Sequence, residues 1–242
     1  MTRDLGRRAF KPVYLLYYKL LFGRRFPFAD RLARRVHAFE LATGRGDAPV
    51  DQEVWDAQYR GGGWAFMREL DELARYSVIA GSLHHLKPGG SVLDVGCGEG
   101  LLADHLRPFG CSRYLGIDLS AAAVQQAAGR VDEKTSFVAA DAESYSPPGR
   151  WDAVVFNECV YYFHDPVGTL QRYEAALAAG GLFVVSTFRS RRADVIVRRL
   201  LARYRLLAET AVSNRKGTWV VRVLAPPAPA TPPASSSPPP RG

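Results

Sequence analysis

The stretch Ser91-Val92-Leu93-Asp94-Val95-Gly96-Cys97-Gly98-Glu99-Gly100 decides how the rest of the chain is read. An apolar, β-branched run stops in glycines at positions 96, 98 and 100, and a helix-compatible segment, 101–109, follows at once. A buried parallel strand that passes through a glycine turn into a helix brings backbone N–H groups close to a ligand. The spacing is Asp-x-Gly-x-Gly-x-Gly. It differs from the Gly-x-Gly-x-x-Gly of dinucleotide dehydrogenases, because Leu101 stands where that pattern needs its third glycine. No Gly-Lys-Ser/Thr follows the turn, which excludes a P-loop.

Three acids extend the pattern. Asp94, just before the turn, suits a cationic ammonium or sulfonium better than a pyrophosphate. Asp118 closes the next apolar run, Tyr114-Leu115-Gly116-Ile117-Asp118, 18 residues after Gly100, where an acid grips a ribose diol. Asp141 follows Phe137-Val138-Ala139-Ala140 and is placed to meet an adenine amino group. The ordered series resembles the class I S-adenosylmethionine (SAM) methyltransferases, over roughly residues 55–224. The resemblance implies S-adenosyl-L-methionine as cofactor, held by Asp94, Gly96, Cys97, Gly98, Asp118 with Leu119, and Asp141 with Ala142.

Strand and helix patterns alternate along the same region. Strands are expected at 91–96, 113–118, 135–139, 151–157 and 181–188, with helices at 99–109, 120–130, 166–178 and 192–204. Alternation of this kind implies an α/β fold, a parallel sheet covered by helices on both faces. Residues 205–213 and 218–224 then read as two strands joined by Asn214-Arg215-Lys216-Gly217, a hairpin turn. A Rossmann-like, seven-stranded, mostly parallel sheet closed by an antiparallel hairpin is what the methyltransferase resemblance implies, in the order 3-2-1-4-5-7-6.

Upstream, Asp51 is a good N-cap for a helix running toward Tyr59, and Gly61-Gly62-Gly63 ends that helix. A longer helix then reaches about Leu86, with Leu70, Leu73, Ser77, Ala80, Leu83 and Leu86 marking one face. Trp55-x-x-x-Tyr59-x-x-Gly62-x-Trp64 and Glu72-x-x-Arg75-Tyr76 resemble the lid before the glycine turn in many small methyltransferases. In that reading Arg75 pairs with the cofactor's α-carboxylate, and Tyr59 and Trp64 close over the sulfonium. The bland alternative is that these aromatics only anchor the lid helix.

Methyl transfer from a sulfonium is an in-line displacement, so donor and nucleophile must be held close and aligned. An amine or hydroxyl nucleophile also needs a base. The fourth strand delivers Asn157-Glu158-Cys159-Val160-Tyr161-Tyr162-Phe163-His164-Asp165 to the crevice. Asn157 is expected against the methionine part of the cofactor, Glu158 as base and acceptor contact, Tyr161 and Tyr162 on the acceptor side. His164 is the second candidate base, since imidazole titrates near neutrality; its alternative is a surface loop histidine. Glu-x-x-Tyr-Tyr followed by an acid resembles nodulation-type N-methyltransferases, which implies a glycan-like or amine-bearing small-molecule acceptor. His84 and His85 are neighbours on a helix and point apart, so no metal pair is expected.

The net charge of +8 on 242 residues suggests nucleic acid until it is located. Residues 1–36 hold ten Lys/Arg against Asp4 and Asp30, which accounts for the whole excess; residues 37–242 are neutral, 22 against 22. The fourth strand also ends in neither Asn/Asp-Pro-Pro-aromatic nor Pro-Cys, so a nucleic-acid methyltransferase is disfavoured. A non-catalytic SAM-fold scaffold is the third reading, opposed by the intact turn and its three acids.

Residues 1–50 read as a basic, aromatic-rich extension with helices near 12–22 and 27–42, either a cap on the main domain or a peripheral membrane contact through residues 1–36. Residues 51–224 form the methyltransferase domain, and the Pro-rich 225–242 reads as a disordered tail. Three cysteines, Cys97, Cys111 and Cys159, without Cys-x-x-Cys spacing favour a reducing, cytoplasmic setting and no metal.

Overall fold

The computed structural model describes residues 51–227. The expected helices near 12–22 and 27–42, and all but the first three residues of the Pro-rich tail, lie outside the described residues. The elements are α1 (Gln52–Arg60), α2 (Leu70–Leu86), β1 (Val92–Val95), α3 (Leu101–Leu106), β2 (Tyr114–Asp118), α4 (Ala121–Ala127) and β3 (Thr135–Ala139). They continue as β4 (Trp151–Asn157), α5 (Pro166–Glu174), β5 (Leu177–Phe188), α6 (Arg191–Leu201), β6 (Arg205–Asn214) and β7 (Gly217–Ala225). One seven-stranded sheet runs in the order β3-β2-β1-β4-β5-β7-β6. β1 to β5 are parallel, and β7 lies antiparallel between β5 and β6. This is the Rossmann-like methyltransferase order.

The sheet interior is apolar on both faces. Leu93, Val95, Phe156, Phe183 and Val185 pack with Leu170 and Tyr173 of α5 and Ile196 and Leu200 of α6. Val92, Val155, Val184 and Val223 pack with Ile79 and Leu83 of α2 and Leu102 and Leu106 of α3. Continuous burial of β1 and near-continuous burial of β4 is what a central parallel strand requires.

Helix α2 buries Ala80 and Leu83 of the expected face, but its inward stripe is rotated away from the other leucines. Leu70 is 81% exposed, and Leu73 and Leu86 are also exposed. The buried stripe is Glu72, Arg75, Tyr76, Ile79, Ala80 and Leu83, regular in its helical spacing. Two charged residues within that stripe hide it from a reading by hydrophobicity. They are tolerated because Arg75 Nη2 donates to Glu72 Oε2 at 3.0 Å.

Strand β5 begins at Leu177, earlier than residue 181, because Leu177 pairs with Trp151 before the register shifts between Trp151 and Ala153. Asp51 occupies the N-cap of α1 without a side-chain cap bond. Among the described residues no helix is long and apolar enough to cross a membrane.

Candidate active site

A cleft of about 390 Å³ opens where the carboxyl ends of β1, β2 and β4 meet the glycine turn, within the ~300–1,000 Å³ range of small-molecule sites. Its floor includes Gly96, Cys97, Gly98, Ile117, Asp118 and Asn157. Helix α1 and the 3-10 turn Ala65–Arg68 form a lid over it. The lid is pinned from below: Asp56 Oδ1 accepts Ser120 Oγ–H at 2.6 Å and the Ala122 N–H at 3.1 Å. Gln126 Nε2 donates to the Tyr59 carbonyl at 3.0 Å. Arg68 grips the buried Glu99 carboxylate, with Nε at 2.8 Å.

The glycine turn uses most of its N–H groups internally, contrary to the expectation from its pattern. Gly96 N–H and Cys97 N–H donate to the Ile117 carbonyl at 2.8 and 3.0 Å, and Gly100 N–H donates to the Cys97 carbonyl at 2.9 Å. Gly98 N–H goes to Asp118 Oδ2 at 2.8 Å. The glycines are needed for shape instead. Gly96 has φ +72°, and a Cβ there would lie 2.7 Å from Cys159 Cβ; Gly98 has φ +55°, and a Cβ would lie 2.7 Å from the Tyr59 hydroxyl. A turn with four of its donors consumed suits a ligand that is not a phosphate.

Asp118 lines the cleft together with Leu119. Its Oδ1 accepts the Ser120 N–H at 2.9 Å, so each oxygen holds one backbone donor and keeps a lone pair for a ribose hydroxyl. Burial raises its carboxyl above the ordinary value, against the lowering effect of those two N–H groups. Asp141 lines the cleft beside Ala142; Asp141 Oδ1 accepts the Glu143 N–H at 2.8 Å.

Asp94 lies behind the wall of the cleft and not on it. It is 1% exposed, and Tyr114 O–H donates to its Oδ2 at 2.5 Å, while Oδ1 has no partner. Burial pushes its carboxyl up to about 7, further raised by Asp118 and opposed by the Tyr114 hydrogen bond. Arg75 is likewise enclosed at 0% exposure. Its Nη1 donates to Asn157 Oδ1. With its oxygen turned back to Arg75, Asn157 presents Nδ2–H to the cleft as a donor.

The groups expected on the acceptor side divide. Glu158 follows β4 with φ +60°, a strained conformation for a non-glycine residue. Its carboxylate lines the cleft with three donors already on it: Ser186 Oγ–H donates to Oε1 at 2.6 Å, and Tyr161 O–H and Phe188 N–H donate to Oε2 at 2.6 and 3.0 Å. Tyr161 therefore points at Glu158 and is absent from the cleft lining, whereas Tyr162 lines it. His164 also lines it, next to Glu143, a residue sequence reasoning did not single out. Glu143 Oε2 lies 2.5 Å from His164 Nδ1, and Oε1 accepts the His164 N–H at 3.0 Å. Burial raises the Glu143 carboxyl, but the His164 ring and the His164 and Asp165 N–H groups outweigh it and leave it below the ordinary range. No local signal links residues 143 and 164; they meet because the loops after β3 and β4 converge.

Trp55, Tyr59, Trp64 and Tyr162 line the roof and outer wall. Tyr59 stacks on Trp64 with centroids 5.9 Å apart, and Trp55 meets Tyr162 edge-on at 4.9 Å. Cys97 and Cys159 line the cleft as thiols raised well above their ordinary range by burial, a state that is poorly nucleophilic. Among the described residues no cluster of His, Cys, Asp and Glu is arranged to hold a metal ion.

The fold and the cleft define a class I S-adenosylmethionine-dependent methyltransferase. The chain belongs to the methyltransferase domain family (Methyltransf_23), whose profile matches residues 64–220. Ribosomal protein L11 methyltransferase of Burkholderia vietnamiensis is 32% identical over 136 residues, which are 56% of this chain and 43% of that protein. This chain thus spans less than half the length of that curated relative. Among solved structures, the N-methyltransferase NodS from Bradyrhizobium japonicum WM9 in complex with S-adenosyl-L-homocysteine (SAH) aligns with TM-score 0.60 at 20% identity, over 68% of this chain and 92% of that one. The 1,6-didemethyltoxoflavin-N1-methyltransferase of Burkholderia thailandensis, with its substrate and SAH bound, aligns with TM-score 0.60 at 22% identity, over 74% and 92%. At these identities the structures show a shared fold.

Proposed function

We propose that this enzyme transfers the methyl group of SAM to a nitrogen or oxygen of a small-molecule or glycan-like acceptor. The observation that carries this reading is the pinned lid: α1 and the turn after it, fastened by Asp56, roof the cleft through Tyr59 and Trp64, leaving a small chamber walled by Trp55 and Tyr162. In this reading Asp118 holds the ribose diol and Asp141 the adenine edge. Asn157 Nδ2–H meets the cofactor's carboxylate, with Arg75 acting behind it. Tyr59 and Trp64 cover the methionine part. Bound SAM supplies the electrophilic methyl, and the chain's own task is to align the acceptor, exclude water and remove a proton. Three unpaired cysteines support a reducing compartment such as the cytoplasm.

The relation to ribosomal protein L11 methyltransferases supports a second reading, a protein acceptor. Incubation with methyl-tritiated SAM and a cell extract, followed by separation into small-molecule, oligosaccharide, protein and nucleic-acid fractions, discriminates. Label in the small-molecule or oligosaccharide fraction is expected. Label on a ribosomal protein would replace this reading, and SAH binding with no label in any fraction would favour a non-catalytic scaffold.

A further inference from the structure

The chemistry of the acceptor follows from which charges and which proton acceptor the outer cleft holds; this step rests on the methyltransferase reading above. Among the described residues that line the cleft there is no Lys or Arg, while Asp51, Glu99, Asp118, Asp141, Glu143 and Glu158 all carry carboxylates. Asp118 and Asp141 stand on the cofactor side, Glu99 is held by Arg68, and Glu158 already accepts from Tyr161, Ser186 and Phe188. An anionic acceptor would find no cation there to replace its lost hydration.

The Glu143–His164 pair supplies the second observation. A depressed carboxyl stays ionised and can only accept, so at 2.5 Å from Glu143 Oε2 the Nδ1 atom of His164 must carry the hydrogen. In the neutral ring the other nitrogen, Nε2, is then a lone-pair acceptor, and it has no hydrogen-bond partner among the described residues. Glu143 is itself held by the His164 and Asp165 N–H groups at 3.0 and 3.3 Å and by Thr169 Oγ–H at 3.4 Å. The other charged groups around the pair are Asp141, Asp165 with Arg199 at 3.5 Å, and Arg172, whose guanidinium donates to the Ala142 carbonyl. Trp55 and Tyr162 offer aromatic faces on the same side of the chamber.

We infer that the acceptor is an amine with an apolar or aromatic body, docked as its ammonium against His164 Nε2, with Glu143 as the residue that fixes the imidazole tautomer. The ammonium gives one N–H proton to Nε2. The freed nitrogen lone pair forms the new N–C bond as the methyl–sulfur bond breaks. The electron pair of that bond stays on sulfur, and SAH is the leaving group.

Titration calorimetry on the SAH-saturated full chain tests this with two probes of matched shape, phenethylamine and 3-phenylpropionate. The cation is expected to bind at least about tenfold more tightly than the anion, the worth of one charge-assisted hydrogen bond. Glu143→Gln frees Nδ1 to become the acceptor and is expected to erase most of that preference with SAH affinity unchanged; Glu143→Asp is expected to restore part of it. Equal affinity for the two probes, binding of neither, or a preference that survives Glu143→Gln would overturn the inference. Loss of SAH binding by the unmodified chain would instead overturn the methyltransferase reading beneath it.

Discussion

Gly98 donates its backbone N–H to the Asp118 carboxylate at 2.8 Å, so the acid proposed for the ribose also ties β2 to the glycine turn. Asp118→Ala removes the ribose acceptor and frees the turn in one change. Losing charge-assisted bonds of this kind costs ~1.5–3 kcal/mol, so SAH affinity should weaken by about one to two powers of ten. Calorimetry on the folded variant checks it, and faster amide exchange at Gly98 should accompany the loss. An unchanged dissociation constant would remove Asp118 from the ribose site.

Asp94 makes stability depend on pH in an unusual direction. Its native pKa is about 7 against an ordinary 3.8, so between those values the folded chain holds a proton that the unfolded chain has released. This group therefore weakens the fold as pH rises from about 4 to 7, by at most ~1.4 kcal/mol per pH unit, and adds no further change above. Asp94→Asn keeps an oxygen for Tyr114 and cannot ionise. Urea midpoints of the ligand-free protein, taken between about pH 5 and 8.5, should fall less steeply in the variant. Parallel curves for the two proteins would show that Asp94 titrates normally.

Asp56 fastens the lid to the N-terminal end of α4 through Ser120 and Ala122. Its carboxyl lies below the ordinary range, mainly through the Ser120 hydrogen bond. Asp56→Ala should leave the core intact and release the lid, because removing the carboxylate strands two donors at a cost of ~1–3 kcal/mol. Hydrogen exchange should accelerate over residues 52–69, with SAH dissociating faster than from wild type. Protection unchanged in that segment would mean that Arg68 and Gln126 hold the lid without it.

Glu158 and His164 separate by the kind of defect each variant shows. Glu158→Gln keeps one oxygen for Tyr161 O–H and Phe188 N–H and turns N–H₂ to Ser186 Oγ, so charge-assisted bonds become neutral ones and stability should fall by ~1 kcal/mol. His164→Gln should unfold normally and lose turnover by ~10²–10⁴ once an acceptor is in hand. A stable, slow Glu158→Gln beside a fully active His164→Gln would return the base to Glu158.

Much of the fold was legible because its signals are local. The run Val92–Val95 before Gly96, the acid at Asp118 and the turn at Arg215-Lys216 each announce an element within a few residues. The 3-10 turn that prolongs α3 through Arg107–Phe109 even keeps the expected end at residue 109. The inward face of α2 was hidden, since Leu70, Leu73 and Leu86 of the expected stripe are exposed while the buried stripe carries Glu72 and Arg75, paired at 3.0 Å with Lys216 Nζ at 3.4 Å from Glu72.

The residue types at the site were therefore set by the chain itself: a glycine turn, acids at the ends of successive strands, and an Asn-Glu pair closing the fourth. Only the tertiary structure decided which of those atoms remain available. Arg75 and Asn157 are 82 residues apart, Ser186 and Glu158 are 28 apart, and Glu143 and His164 are 21 apart. A carboxylate's chemistry depends on the donors already resting on it, and those donors arrive from other strands and loops when the sheet assembles. That is why Glu158 reaches the cleft with three donors already on its carboxylate, while His164, fixed by Glu143, keeps Nε2 without a partner among the described residues.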